Sequence, residues 1–292
     1  MNAAEAARVA TARGGQLTGF LQTQEKGTQA AGKATWQLVT LEHLNAAERT
    51  AVTWLVAKAI LRSRCGRAPI YQVWRTTCLA GQRLADADRT KLVPFLRDVF
   101  GVPERPGNDD HLEGYVAEWI WYLLMRERDA SKGQGRRIVL LEPPKFTVTG
   151  SGPDGFVVYS VDGVPLIFRL WELKKQTGKG AVDATVRVAY QQLRDEGQRY
   201  LAQLTAMHAD KDGDLGELCG RLVDLWIEAD ARAGAGVGVT SGTLPPPVRC
   251  FTTMGTQLSQ FSEPGQLEGM LCAVEDYRAL AHDVRKLLWS VL

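Results

Sequence analysis

The chain has 292 residues, 45% hydrophobic and 23% charged, a composition that fits a folded globular protein rather than a disordered or membrane-embedded one. The formal net charge is only +2, so no global basic field announces nucleic acid, and any surface for it has to be local. The five cysteines (Cys65, Cys78, Cys219, Cys250, Cys272) are odd in number, scattered and without a CxxC pair, which argues against a disulfide framework or a zinc site and fits a reducing cytoplasm.

The four histidines show no ligand spacing. No apolar run reaches the roughly 18 residues that span a bilayer, and the Ala-rich N-terminus carries Glu5, Arg8 and Arg13 without an apolar segment. Neither a membrane span nor a secretory signal is expected.

Residues 1–33 have little to bury and read as a short amphipathic segment or a loose arm. Thr35 to Leu41 reads as a short strand. Asn45 followed by Glu48 makes a capping box. Behind it Val52, Leu55, Val56, Ala59 and Ile60 recur at helical spacing, up to a stop at Gly66. Ile70 to Leu79 is ambiguous, with Tyr71 and Trp74 available for burial. A helix is expected from the late 80s to Phe100, strained at Pro94. The Pro/Gly stretch 101–110 is the best seam in the chain. It divides a mainly helical N-terminal region, 1–105, from a second domain, 106–292. Asp109 or Asp110 caps the clearest helix, whose stripe is Leu112, Tyr115, Val116, Trp119, Ile120, Leu123 and Leu124. Ser131 to Arg137 is a polar loop, Ile138 to Leu141 a strand, and Phe146 to Thr149 leads into the next element.

That element is a hairpin. Gly155 to Ser160 and Val164 to Lys174 are rich in β-branched and aromatic residues, and Asp162-Gly163 between them suits a tight turn. Strand alternation points Glu172 and Lys174 to one face and Leu173 to the other. The hairpin brings Asp154, at the head of its first strand, alongside them. Two carboxylates held together repel, and a hard divalent ion with oxygen ligands removes the conflict.

Pro153-Asp154 followed by Glu172-Leu173-Lys174 resembles the PD-(D/E)xK nuclease superfamily. The resemblance implies a restriction-endonuclease-like α/β (α+β) core, a central mixed sheet flanked by helices. It implies that Asp154 and Glu172 hold Mg²⁺ or Mn²⁺ with the backbone carbonyl of Leu173, and that Lys174 positions the attacking water and stabilises charge on the phosphate. It also implies a further helix glutamate upstream, and Glu118 is the residue similar to that element. The helical wheel itself leaves Glu113 and Glu118 both open. The implied function is metal-dependent hydrolysis of phosphodiester bonds, DNA above all, in prokaryotic genome or antiphage defence. A Hachiman-type nuclease subunit beside a helicase is one such setting. The alternative is a catalytically silent nucleic-acid-binding or assembly subunit.

Beyond the hairpin, Asp183 opens a long helix carrying Val186, Ala189, Tyr190, Leu193, Tyr200, Leu201 and Leu204. Lys174, Lys175, Lys179 and Arg187, with Arg194 and Arg199, make the most basic neighbourhood, and Lys175, Lys179 and Arg187 are the candidate phosphate contacts. Gln191, Gln192 and Tyr200 do not match the QxxxY spacing of some relatives, though Gln192 is a candidate neighbour of the site. Asp210 to Asp214 lacks the glycine and the twelfth-position acid of a calcium loop. Gly234 to Gly238 lacks the strand–glycine–helix order of a dinucleotide loop. Val237 to Thr240 and Val248 to Thr253 read as strands, and Leu267 to Leu292 as a closing helix.

Overall fold

The computed structural model describes residues 2–29, 33–130, 135–146, 152–178, 180–247 and 249–292, with the side chains of Gln29, Asp129 and Ala130 left aside. In chain order the first half runs α1 (Ala3–Ala12), β1 (Gln24–Gln29), β2 (Ala34–Leu41), α2 (Ala46–Cys65), α3 (Ile70–Leu79), α4 (Asp86–Leu96), β3 (Gly101–Val102) and β4 (Arg105–Pro106). Then come α5 (Asp109–Ala130), β5 (Arg136–Leu141), β6 (Gly155–Val161), β7 (Val164–Gln176) and α6 (Val182–Met207). The chain closes with α7 (Gly213–Gly220), α8 (Leu222–Ile227), β8 (Ala235–Ser241), α9 (Met254–Gln257), β9 (Leu267–Val274) and α10 (Tyr277–Trp289).

The fold is α/β. A seven-stranded mixed sheet has the order β1-β2-β9-β8-β7-β6-β5. Its centre, β2-β9-β8-β7, is parallel, and the pairs at each end are antiparallel. Helices cover both faces, as a sheet with a parallel centre requires. Trp171 and Leu173 of β7 join a core with α1, α2, α3, α5 and α10. Phe168 and Leu170 join another with α6, α7 and α8.

Local chemistry accounts for most boundaries. The Asn45 side chain accepts the N–H groups of Ala47 and Glu48, and Glu48 Oε2 accepts Asn45 N–H at 3.2 Å, so the capping box forms as read. Gly163, at φ +76°, takes the turn between β6 and β7. That conformation is free of penalty only without a Cβ.

Three expectations are corrected. The N-terminal residues do not form a helical region set apart from the sheet. They supply β1 and β2, and β2 pairs along its whole length with β9. The stretch from Leu267 is not the start of the closing helix: Leu267–Val274 is strand β9, buried at every position, and only Tyr277–Trp289 is helical. Residues 249–253 are turn rather than strand, with Val248 outside the described residues. Thr147 to Thr149, read as leading into the hairpin, also lie outside them. Pro94 sits inside α4, the last but two of its residues.

Candidate active site

The site lies where β7 outruns β6. Gly155 pairs with Trp171, so Asp154, one residue before β6, falls opposite Glu172. Beyond Trp171, β7 continues to Gln176 with β8 alone beside it. The N–H groups of Phe168 and Leu170 donate towards the β8 side, to Arg232 and Gly234. In a strand the N–H and C=O of one residue point to the same neighbour, and successive residues alternate. Leu173 therefore turns both groups the other way, past the start of β6. Its N–H donates to Asp154 Oδ2 at 2.9 Å, and its carbonyl faces the same space.

Glu172 and Lys174 emerge on the α6 face, two and four residues on from Leu170. Lys174 Nζ donates to Glu172 Oε1 at 2.6 Å and to Gln192 Oε1 of α6 at 2.9 Å. Gln192 Nε2 in turn donates to the Tyr200 hydroxyl at 3.0 Å. Gln192 thus does neighbour the site. The other Glu172 oxygen, Oε2, is buried with no hydrogen-bond partner, although Asp154 stands beside it. A buried carboxylate oxygen without a donor is costly, and a proton shared with the Asp154 carboxyl relieves that cost while no cation is bound.

The electrostatics agree. Burial and then the Asp154 charge push the Glu172 carboxyl up to about 8, against Lys174. Burial raises Asp154 too, despite the Leu173 N–H and the Lys174 ammonium. Glu118, on α5, is driven well above the ordinary glutamate range by burial, by the Asp154 charge and by the Glu172 charge. Burial works against the Lys174 ammonium, but the charge and hydrogen bond of Glu172 outweigh it and raise its proton affinity.

Two glycines bracket Asp154 and make this crowding possible. A Cβ on Gly155 would stand 2.5 Å from the Trp121 ring, so its absence lets α5 close on the strand and bring Glu118 in, one helical turn away. A Cβ on Gly152 would stand 1.9 Å from Lys145 Nζ. Lys145 is a second cation of the site that sequence reasoning missed. Burial lowers its proton affinity, opposed by the charges of Asp154, Glu118 and Glu172. Nothing in Pro143-Pro144-Lys145 marks it in the sequence, because a loop, not a periodic element, delivers it.

The structure separates the two helix glutamates. Glu118 faces the Asp154–Glu172 pair. Glu113 accepts from Lys175 Nζ at 2.8 Å and from Arg278 Nε at 3.0 Å, so its charge is already matched. Lys175 is correspondingly committed: its ammonium also reaches Asp110 at 2.6 Å. Arg187 is exposed, with Asp183 at 3.8 Å. Lys179 lies outside the described residues. Another buried acid, Glu268 of β9, is paired with Arg136 at 2.8 Å and Arg169 at 3.4 Å and is part of the sheet's internal packing.

Among the described residues no three His, Cys, Asp or Glu side chains form a ready-made metal-ligand group. The donors that do converge are two carboxylates and the Leu173 carbonyl. They are all oxygen, which is the chemistry of a hard divalent cation with water completing its shell. The unpartnered Glu172 oxygen fits such an ion.

No protein-family model matches the chain, and no curated protein or solved structure is significantly similar to it. No helix among the described residues is long and apolar enough to cross a membrane.

Proposed function

We propose that the protein is a divalent-cation-dependent nuclease that hydrolyses phosphodiester bonds, with DNA as its first substrate, on a restriction-endonuclease-like core of the PD-(D/E)xK kind. One observation carries this. Asp154 and Glu172, from adjacent strands, stand together with one buried oxygen unpartnered and with Lys174 at 2.6 Å. What favours it over an ordinary ion pair is the excess of acid: Asp154, Glu172 and Glu118 share the neighbourhood of only two ammonium groups, Lys174 and Lys145.

Asp154, Glu172 and the Leu173 carbonyl would hold Mg²⁺ or Mn²⁺, with Glu118 behind them. Such an ion, when bound, supplies Lewis acidity to the scissile phosphate and acidifies a water beside it. The chain's own groups do the rest. The Leu173 N–H fixes the Asp154 carboxylate, so one ligand is placed before substrate arrives. Lys174, held by Glu172 and Gln192, keeps its proton. It therefore acts as a hydrogen-bond donor and point charge, orienting the attacking water and receiving negative charge that grows on the phosphate oxygens. It is not the base. Tyr200, through Gln192, keeps the ammonium from swinging away.

Purified protein should cut plasmid, linear, single-stranded or RNA substrates with Mg²⁺ or Mn²⁺ and not with EDTA. Asp154→Ala, Glu172→Ala and Lys174→Ala should each abolish cutting while the far-ultraviolet dichroism stays native. Activity surviving in all three variants overturns the proposal. The lack of a ready-made three-ligand group among the described residues favours a second reading, a catalytically silent nucleic-acid-binding or assembly subunit. Tight, metal-independent binding without cleavage of any substrate would decide for it. On the sequence resemblance alone, the setting would be prokaryotic antiphage defence with a helicase as partner. Co-purification of a helicase with the tagged protein tests that.

A further inference from the structure

A cleft of about 320 Å³ opens directly beside the acids, and Asp154 and Lys145 both line it. Its other walls are largely apolar, Pro144, Phe146, Leu204 and Met207 among them, and a further acid on them, Glu142, lies 3.1 Å from His208 Nε2. Phe146 is 43% exposed. One face of its ring lies over the Arg64 guanidinium, with Cζ 3.9 Å from the ring centroid. Arg64 is itself only 6% exposed and is clamped in place. Its Nε donates to Phe95 O at 2.5 Å, and its Nη1 to Phe146 O at 2.6 Å and to the Tyr115 hydroxyl at 3.1 Å. Its Nη2 is buried without a partner. A surface phenylalanine backed by a fixed buried cation is a rigid platform rather than a mobile side chain.

The chemistry of the cleft selects its occupant. A flat apolar wall stacks an aromatic ring. A lysine between that wall and the carboxylate pair meets a phosphate that approaches the pair. A ligand with a planar ring on one side and a phosphodiester on the other is a nucleotide within a strand. The volume is at the small end for a ligand pocket, about 300 Å³ or more, and suits one base rather than a base pair. A base inside a duplex already has both faces stacked, so only an unpaired one can offer a face to Phe146.

We propose that this cleft receives an unpaired nucleotide next to the scissile phosphate. The protein thereby acts on single-stranded or frayed nucleic acid in preference to blunt duplex. This rests on the nuclease function proposed above.

The test uses the full chain on matched single-stranded DNA, single-stranded RNA and blunt duplex, with single strands that carry one abasic position stepped along the sequence. Single strands of DNA, RNA or both should be cut faster than blunt duplex. An abasic position beside the cut should raise KM roughly tenfold, the scale of one lost base–aromatic stack. That penalty should vanish in Phe146→Ala. Met207→Trp alters a side chain that is 60% exposed and fills the cleft, so it should raise KM for the intact strand even where Phe146→Ala folds poorly. Equal rates on duplex and single strand, or an abasic penalty unchanged in Phe146→Ala, overturn the cleft assignment while leaving the nuclease standing. Fluorescence anisotropy of labelled strands with Ca²⁺ separates the two claims from the other side. Strand binding that needs Phe146, with no cleavage under Mg²⁺ or Mn²⁺, supports the cleft and rejects the nuclease.

Discussion

Without divalent cation the protein should become less stable as pH rises, opposite to the usual behaviour of a paired carboxylate. The perturbation is EDTA, with pH varied from 5 to about 9. Glu172 is fully buried, and its carboxyl is raised from 4.5 to about 8 by burial and by Asp154. A carboxyl that holds its proton more tightly when folded contributes its full stability below the unfolded value. That stability is lost as pH climbs through the folded one. At about 1.4 kcal/mol for each tenfold in proton affinity, the loss approaches about 5 kcal/mol across the window from 4.5 to 8. Asp154 and Glu118 are raised in the same direction and titrate jointly with Glu172, so the fall belongs to the cluster rather than to one residue. The assay is urea unfolding at each pH. In EDTA the unfolding free energy should fall by several kcal/mol between pH 5 and 8.5. Excess Mg²⁺ or Mn²⁺ should flatten the fall, and Glu172→Gln should flatten it without metal. Stability that is level or rising over that range in EDTA, or an unchanged slope in Glu172→Gln, would refute the crowded-carboxylate account.

Two substitutions probe how the fold delivers the site. Gly155→Ala places a Cβ 2.5 Å from the Trp121 ring. Overpacking of this kind should cost about 1–3 kcal/mol, visible as a lower melting temperature. It should also slow cleavage, because α5 and Glu118 are pushed off. Glu118 and Glu113 should behave oppositely. Glu118→Gln should slow cleavage while leaving the metal-free protein as stable or more so. Glu113→Ala removes the buried partner of Lys175, which keeps Asp110, and of the largely exposed Arg278, and should cost about 1–3 kcal/mol, read by the same melts.

The parts of the fold that could be read from the sequence are those whose signal is local. The capping box at Asn45, the Asp162-Gly163 turn and the stripe of α5 are set by residues within a few positions of each other. β9 was not legible, because Leu267 to Val274 is buried on both faces and so carries no alternation. A short apolar run of that kind looks the same in a buried strand and a buried helix. β1, Gln-Glu-Lys-Gly-Thr-Gln, is a polar edge strand whose only cue is its partner β2. In the site, Asp154, Glu172 and Lys174 were legible because one hairpin joins them. The approach of Glu118 to that pair depends on Gly155, whose missing side chain makes room for Trp121 of α5, which the helical wheel does not contain. Lys175 looked available in the sequence because nothing local shows that Asp110 and Glu113, more than sixty residues earlier, close on it. Lys145 gave no signal at all.

The most direct trial is a crystal of the protein soaked in Mn²⁺ and measured for anomalous scattering. A peak bounded by the Asp154 and Glu172 carboxylates and the Leu173 carbonyl, at oxygen-ligand distances of about 2.2 Å, is the expected result. Clear density for those three groups with no peak between them, or manganese bound only elsewhere on the chain, would contradict the account.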